Sequence, residues 1–487
     1  VQTLPSDSGS GLVLAPFRGI RYARDRVSGI ANVTSPPYDV INGGILDQLR
    51  AADPHNVVRL ILPGQDPDAS PAAAAAMANP AAAAAMANPA AAAAMANRVA
   101  AGLLREWLSA GVLIRDRMAA LYIYEQRLPG SGPSLLQRGI IGLVRLGSPE
   151  SAGILPHENV MPGLVAGRRE LMAATQANLE PIFLIYDGGQ YPDATDTEAM
   201  PTATEVMDRV ADERTPLVAI TTEDGITHRL WRLGDPGEQA AIAADLSGRR
   251  ALIADGHHRY AAYLQLQAEM RAAGLGTGPW DYGLAFLVDS AAYPPRLGAI
   301  HRVLPGLPPE RAAELAKAAF TVQDLPAGLC LDDALVRLAE AGRAGPAFLL
   351  AGGPVFRLLS HPDPVQLAAS MPAGTSVPWQ SLAASVMQQL LLGRLWGVTD
   401  SERDVLIDHD AADAVRAVAG DATATDIAER GAGAAPAAGG TAVICNPASF
   451  EAVIDIAAQG ERVPRKSTSF GPKPRTGLIL RTFGPSD

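Results

Sequence analysis

Short apolar runs that alternate with polar residues, and longer stretches in which apolar residues recur every three or four positions, divide this chain into strands and helices. Gly11–Ile20 has the pattern of a strand, Asn56–Pro63 of another with Arg59 inside it, and Ala119–Leu128 and Leu136–Leu146 of a hairpin joined by a Gly/Pro/Ser turn. Pro181–Tyr186, Leu217–Thr222 and Ile226–Leu233 continue the strand pattern, and residues 236–246 have helical spacing. Arg168-Arg169-Glu170 is expected to open a helix running to about Asn178. Arg249–Ile253 then leads as a strand into Ala254-Asp255-Gly256-His257-His258-Arg259-Tyr260, and a run without Pro or Gly follows at helical spacing. Tyr282–Val288, Leu297–Leu304, Ala442–Cys445 and a helix from Ser449 complete the pattern, which predicts an α/β (mixed α+β) protein.

The strand–turn–helix at Asp255 is the most informative stretch. A helix start presents unpaired N–H groups and the positive end of the helix dipole, so it favours anions. Gly256 lets a ligand approach the backbone, and Arg259 can fork onto a phosphate or carboxylate. Asp255 can cap the helix, hold a metal or take a proton. A lone histidine is usually structural, but His257 and His258 together, between Asp-Gly and Arg at such a turn, mark a site. Pro36 and Pro37 fix the backbone ahead of Tyr38 and Asp39. His157 and Glu158 lie on a polar loop that is either a solvated turn or a second pocket wall. Arg59 is either a salt-bridged structural residue or an anion contact.

Residues 71–97 hold three copies of Pro-Ala-Ala-Ala-Ala-Ala-Met-Ala-Asn. Proline at each ninth residue limits every unit to a marginal helix. A tandem duplication inside a loop explains this better than a functional repeat. Residues 1–305 form the expected mixed α/β domain with the Asp-Gly-His-His-Arg motif. Residues 306–440 form an Ala-rich accessory domain, and 441–487 a C-terminal segment returning to the site. The 487 residues suit two or three domains, and 48% hydrophobic with 19% charged residues suits a globular protein. A formal charge of −11 opposes general nucleic-acid binding. Two cysteines without metal or redox spacing, no signal-like start and no membrane-length apolar run lead to the expectation of a cytoplasmic protein.

Several segments together resemble a bacterial and archaeal family known as a domain of unknown function: Pro16-Phe17-Arg18-Gly19, Ser35–Ile41, Asn56–Leu60, Tyr124-Glu125-Gln126, Pro156-His157-Glu158, Ala254–Tyr260, His301-Arg302 and Lys466–Lys473. The Asp-Gly-His-His-Arg core is similar to the ParB/sulfiredoxin superfamily and most of all to its free-serine kinases, which phosphorylate L-serine with ADP or ATP. The resemblance implies a ParB/sulfiredoxin-like core around the strand–turn–helix. It gives a catalytic role to Asp255, His257, His258 and an upstream carboxylate, Glu158 foremost, with Asp39, Glu125 and Glu238 as further candidates. Gly256, Arg259, Arg18, Lys466, Ser467, Lys473, His301 and Arg302 would hold the nucleotide phosphates, and Tyr38, Asp39, Arg59 and His157 the substrate. Asp255 would also hold Mg2+. Gly167, Ala262, Ala383 and Gln388 depart from the family pattern.

The leading reading is therefore phosphoryl transfer from ATP or ADP to a free hydroxy-amino acid, with L-serine as the first acceptor. No Walker-type loop is present, so nucleotide binding would be atypical. The partners are a small-molecule substrate and a nucleotide, with neither nucleic acid nor membrane, and a homodimer is kept as an option. The alternative is a catalytically silent nucleotide or phosphometabolite sensor. Metal-dependent hydrolysis and ParB-like DNA chemistry rank below both, because adjacent histidines seldom ligate one ion and no helix-turn-helix signal occurs.

Overall fold

The computed structural model describes residues 11–41, 43–64, 89–130, 136–148, 153–189, 201–399, 404–419 and 439–483. The first two copies of the alanine unit lie outside the described residues. The third begins a helix, α1 (Pro89–Ser109), and continues without a break into the apolar stripe carrying Leu104 and Trp107. Contacts divide the chain into two units: Val1–Pro156, Val160–Pro295 and Pro472–Asp487 in one, His157–Asn159 and Arg296–Gly471 in the other.

The first unit is built on a mixed nine-stranded sheet. Its strands are β1 (Leu14–Ala15), β2 (Leu121–Arg127), β3 (Leu136–Arg145), β4 (Ile154–Leu155), β5 (Ile182–Tyr186), β6 (Val218–Thr221), β7 (Thr227–Leu233), β8 (Ala251–Asp255) and β9 (Tyr282–Asp289). They lie in the order β4-β8-β5-β9-β3-β2-β7-β6, with β1 paired to β3. The β2–β3 hairpin is antiparallel as expected, with Tyr122 opposite Ile141 and Glu125 opposite Arg138. Only the β4–β8 and β5–β9 pairs are parallel. Strands β5, β8 and β9 are buried along their whole length, which explains their nearly continuous apolar sequences.

Helices α2 (Pro162–Thr175) and α5 (His257–Ala272) pack on each other. Val165, Met172, Tyr260, Tyr263 and Leu266 join Ile182, Leu184, Ile253 and Leu287 in one core. Two further helices carry their start signals in the sequence. In α3 (Ala203–Glu213), Thr202 and Glu205 form a reciprocal capping box. In α4 (Pro236–Leu246), Asp235 caps the helix ahead of Pro236.

Three local expectations change. Asn56–Pro63 is not a strand: Val58–Ile61 forms a helical turn with Val57 at its N-cap, and the Asn56 side chain just ahead of it accepts the Val58 N–H at 2.9 Å. Arg59 therefore turns with the helix, and its guanidinium donates to the Arg50 carbonyl at 3.3 Å. Arg168 and Arg169 do not open their helix, because Pro162 supplies the first turn six residues earlier. They lie mid-helix, away from the N-terminal amides. Gly11–Ile20 is interrupted at Pro16, which separates Leu14–Ala15 from Ile20–Tyr22.

The second unit contains a six-stranded antiparallel sheet: β10 (His301–Leu304), β11 (Thr321–Asp324), β12 (Phe348–Ala351), β13 (Arg357–Ser360), β14 (Leu406–Asp408) and β15 (Thr441–Cys445). The order is β11-β13-β12-β15-β10-β14. Each face has its own apolar cluster, one around Phe348 and Leu390, the other around Leu349 and Ile444. The chain is thus a mixed α/β protein. Among the described residues, no helix is long and apolar enough to cross a membrane.

Candidate functional site

The strand–turn–helix forms as the sequence predicts, with β8 ending at Asp255 and α5 starting at His257. Between them Gly256 has φ 95° and ψ 29°, in the left-handed region that a side chain disfavours. A Cβ there would also lie 3.1 Å from both Arg259 Nε and Ile182 Cγ2. The pairing of β8 with β5 shifts register between Ile253 and Asp255. Such a bulge re-aims the side chain at the strand end.

Asp255 lies in a ladder of alternating charges drawn from three distant parts of the first unit. One carboxylate oxygen meets the Arg259 guanidinium, one helical turn on, and the other meets the Lys473 ammonium at 2.8 Å. Lys473 also pairs with Asp39. Burial is steep along this row: the side chain of Arg259 is 3% exposed, Asp255 11%, Lys473 22% and Asp39 26%. Asp39 and Lys473 therefore form the accessible end. Burial opposes the charge on both cations, but the facing carboxylates outweigh it and hold Arg259 and Lys473 protonated well above the ordinary range.

The inner end is closed by Tyr38, which the sequence reading assigned to the substrate, and by three groups it did not assign: Arg168, Glu180 and the Pro181 carbonyl. Arg259 donates to the Pro181 carbonyl at 2.5 Å. The Tyr38 ring lies 4.2 Å from the Arg168 guanidinium and 5.9 Å from that of Arg259. Glu180 is 5% exposed and accepts the Tyr38 N–H at 3.1 Å. Its signal in the sequence is slight: a single carboxylate where Leu179 leads into the apolar run Pro181–Tyr186. Arg168 was visible only as part of a basic pair.

The two histidines diverge. His257 is buried at 7% exposure. The Nε2 of His258 accepts the N–H of Met161, the N-cap of α2, at 3.1 Å, which places the starts of α2 and α5 side by side. Arg18 is exposed and donates to the Asp116 carbonyl at 3.1 Å. Arg59 turns with its own helix and donates to the Arg50 carbonyl at 3.3 Å. Glu125 is 1% exposed and held by Arg138 at 2.6 Å, and Glu238 by Arg209 at 3.2 Å and Arg214 at 2.5 Å. Both carboxylates are thus committed to structural ion pairs.

The remaining candidates belong to the second unit. His157 is fully buried, its Nε2 2.8 Å from the Thr468 hydroxyl, which donates to Glu158 at 3.0 Å. Arg302 donates to the Lys466 carbonyl at 2.9 Å and the Arg465 carbonyl at 3.1 Å, and Ser467 to the Pro464 carbonyl. Lys466 has φ 53°, a left-handed conformation unusual for a side-chain-bearing residue. His301 Nδ1 accepts the Cys445 N–H at 3.2 Å, and burial pushes its pKa down to about 4. At neutral pH it offers a phosphate no positive charge.

Asp255 does not fit the expected Mg2+ site. Each of its oxygens is taken by a cationic side chain, and the Lys473 ammonium stands between the two carboxylates that a divalent ion would bridge. Among the described residues, no group of three or more His, Cys, Asp or Glu side chains is placed to hold a metal. No step below is routed through a metal ion.

The sequence matches the family described as "Protein of unknown function (DUF1015)" over residues 14–385, and the chain belongs to that family. No curated protein matches it significantly. Among solved structures it is similar to a free serine kinase mutant in complex with AMP, at TM-score 0.33 and 12% identity, covering 71% of this chain and 90% of that one. It is also similar to C-terminally truncated SbnI from Staphylococcus aureus, at TM-score 0.30 and 12% identity, over 68% of this chain and 82% of that one. A conserved hypothetical protein from Pyrococcus furiosus matches at TM-score 0.30 and 12% identity, over 67% and 90%.

Proposed function

We propose that this member of the family is a cytoplasmic small-molecule kinase with a ParB/sulfiredoxin-like core, moving a phosphoryl group from ATP or ADP to a free hydroxy-amino acid, with L-serine as the leading acceptor. The observation that carries the reading is the ladder: Asp39, Lys473, Asp255 and Arg259, remote in sequence, are side by side at a glycine turn into a helix. The resemblance of the Asp-Gly-His-His-Arg motif to the free-serine kinases supplies the reaction class.

Phosphoryl transfer needs placement and charge neutralisation more than covalent help from the protein. In this reading the acceptor hydroxyl oxygen bonds to the terminal phosphorus, the phosphorus–oxygen bond to the leaving nucleotide breaks, and the hydroxyl proton passes to a carboxylate. Asp39, at the open end, is the carboxylate placed to take it. Lys473 faces the moving phosphoryl group. Arg259, too deeply buried to touch it first, fixes the aim of Asp255 and through it of Lys473. Gly256 keeps the turn open. His157, Glu158, Lys466, Ser467, His301 and Arg302 enter the proposal through the motif resemblance alone.

A second reading, binding without turnover, draws on the closed state of the ladder, in which Lys473 is already engaged by two carboxylates. The departures from the family pattern at Gly167, Ala262, Ala383 and Gln388 add to it by removing polar groups. Ala262 is a fully buried core residue, and a Cβ at Gly167 would meet nothing within 4 Å. An assay offering ATP and ADP with L-serine and other hydroxy-amino acids separates the readings. The proposal expects a phosphorylated amino acid from the wild type and a loss of about tenfold or more in Lys473→Met. Nucleotide binding with no acceptor-dependent product favours the silent sensor, and neither binding nor product contradicts both.

A further inference from the structure

We infer that Glu180 is a positioning residue that holds together the segments bearing Asp39 and Lys473, so that the ladder has one geometry before any ligand arrives. This rests on the kinase reading for its consequence in binding, but its structural half stands alone. One oxygen of Glu180 accepts both the Tyr38 N–H, at 3.1 Å, and the Thr476 hydroxyl, at 3.2 Å. Tyr38 precedes Asp39, and Thr476 follows Lys473 by three residues. The residue next to Glu180, Pro181, receives the Arg259 guanidinium on its carbonyl. Glu180 and its neighbour therefore touch all three segments from which the ladder is assembled.

The two outer segments also pair directly, through Ser35 N–H to Thr476 O at 3.1 Å and Thr476 N–H to Ser35 O at 2.8 Å. That pair fixes their separation but leaves the loop beyond Ser35 to be anchored at its far end. Glu180 supplies the anchor at Tyr38. A short loop tethered at both ends holds its side chains far more tightly than one tethered at a single point, and a site needs that precision.

Glu180 is an unusual choice for the task. Burial raises its pKa, while Arg259 and Arg168 work in the opposite direction, and Asp39 pushes it further up. Tyr38 and Tyr263 also face it. A glutamine would keep an oxygen in the same place without the burial cost of a carboxylate, so hydrogen bonding and charge can be tested apart.

The test compares Glu180→Gln, Glu180→Ala and Thr476→Val with the wild type in equilibrium binding of ADP and in amide hydrogen exchange. The alanine variant is expected to exchange faster in residues 34–41 and 472–476, with β2 and β3 unchanged, and to bind ADP about tenfold more weakly, the size of one or two lost buried hydrogen bonds. Glutamine is expected to restore both readouts to within about threefold, and Thr476→Val to loosen 472–476 while leaving Tyr38 protected. If alanine fails to fold, the glutamine and valine variants still decide the matter. Slow exchange retained at Tyr38 in the alanine variant overturns the inference. So does a glutamine variant as impaired as alanine, since charge would then be what matters. A wild type that fails to bind ADP removes the kinase reading, yet the exchange comparison still judges the role of Glu180.

Discussion

Asp255 stood out in the sequence as a candidate site residue, but its partners in the ladder were not all equally visible. Arg259, one helical turn away, could be paired with it from spacing alone. The contact between Lys473 and Asp39 spans 434 residues, and no local pattern encodes it. Because the Asp255–Arg259 pair is nearly dry, removing Arg259 leaves one Asp255 oxygen without its partner and Lys473 alone to balance the carboxylate. Arg259→Ala is expected to lose about 2–3 kcal/mol of unfolding free energy, read from the urea midpoint of the first unit. A loss under about 1 kcal/mol would show that the pair is solvated. A second residue-scale expectation concerns His228, which lies between the Tyr124 hydroxyl at 2.8 Å and the Thr222 hydroxyl at 3.1 Å. Burial, with Arg475 adding to it, pushes its pKa down to about 4. The unfolded chain therefore takes up this proton first. Stability is full above the ordinary histidine pKa and is lost as pH falls from about 6.5 towards 4, by up to about 3 kcal/mol. Urea unfolding of the first unit across that range should show the loss, and His228→Gln should reduce it, whereas His301 acts in the second unit.

Elements with their own start and stop signals were legible. Residues 236–246 carry Asp-Pro at the front, the β2–β3 hairpin has its turn residues, and the strand–glycine–helix at Asp255 changes period at the turn. Where a local turn signal competed with an apolar run, the run misled. Val58–Ile61 forms a helical turn just behind Asn56, and Pro162 starts a helix well before the basic pair that seemed to mark it. The turn at Gly256 gives the expectation that belongs to this scale. Gly256→Ala imposes a left-handed conformation on a side-chain-bearing residue, at about 1–2 kcal/mol, and presses the new methyl against Arg259. Thr202→Ala, which breaks the α3 capping box, is expected to cost a similar ~1 kcal/mol without touching the ladder. Nucleotide binding should weaken in the first variant and not in the second. Equal binding in both would mean that the turn geometry is not part of the site.

At the scale of the molecule, the pattern of apolar runs indicated a mixed α/β protein but could not order its strands. The sequence places β4, β5, β8 and β9 far apart, and only long-range pairing makes them neighbours at the edge where the ladder sits. The C-terminal segment Pro472–Asp487 belongs to the first unit although most of the chain just before it belongs to the second. That return carries Lys473 to Asp39 and Asp255. Hydrophobic period alone gave no sign of this return. In the proposed function this group of charges captures a nucleotide phosphate. The most direct test is calorimetric titration of the full chain with ADP, for the wild type and Lys473→Met, at two salt concentrations. Saturable binding by the wild type is expected, with affinity at least about tenfold weaker in the variant and a smaller salt dependence because one cation has been removed. Equal affinity and equal salt dependence in the two proteins would contradict it.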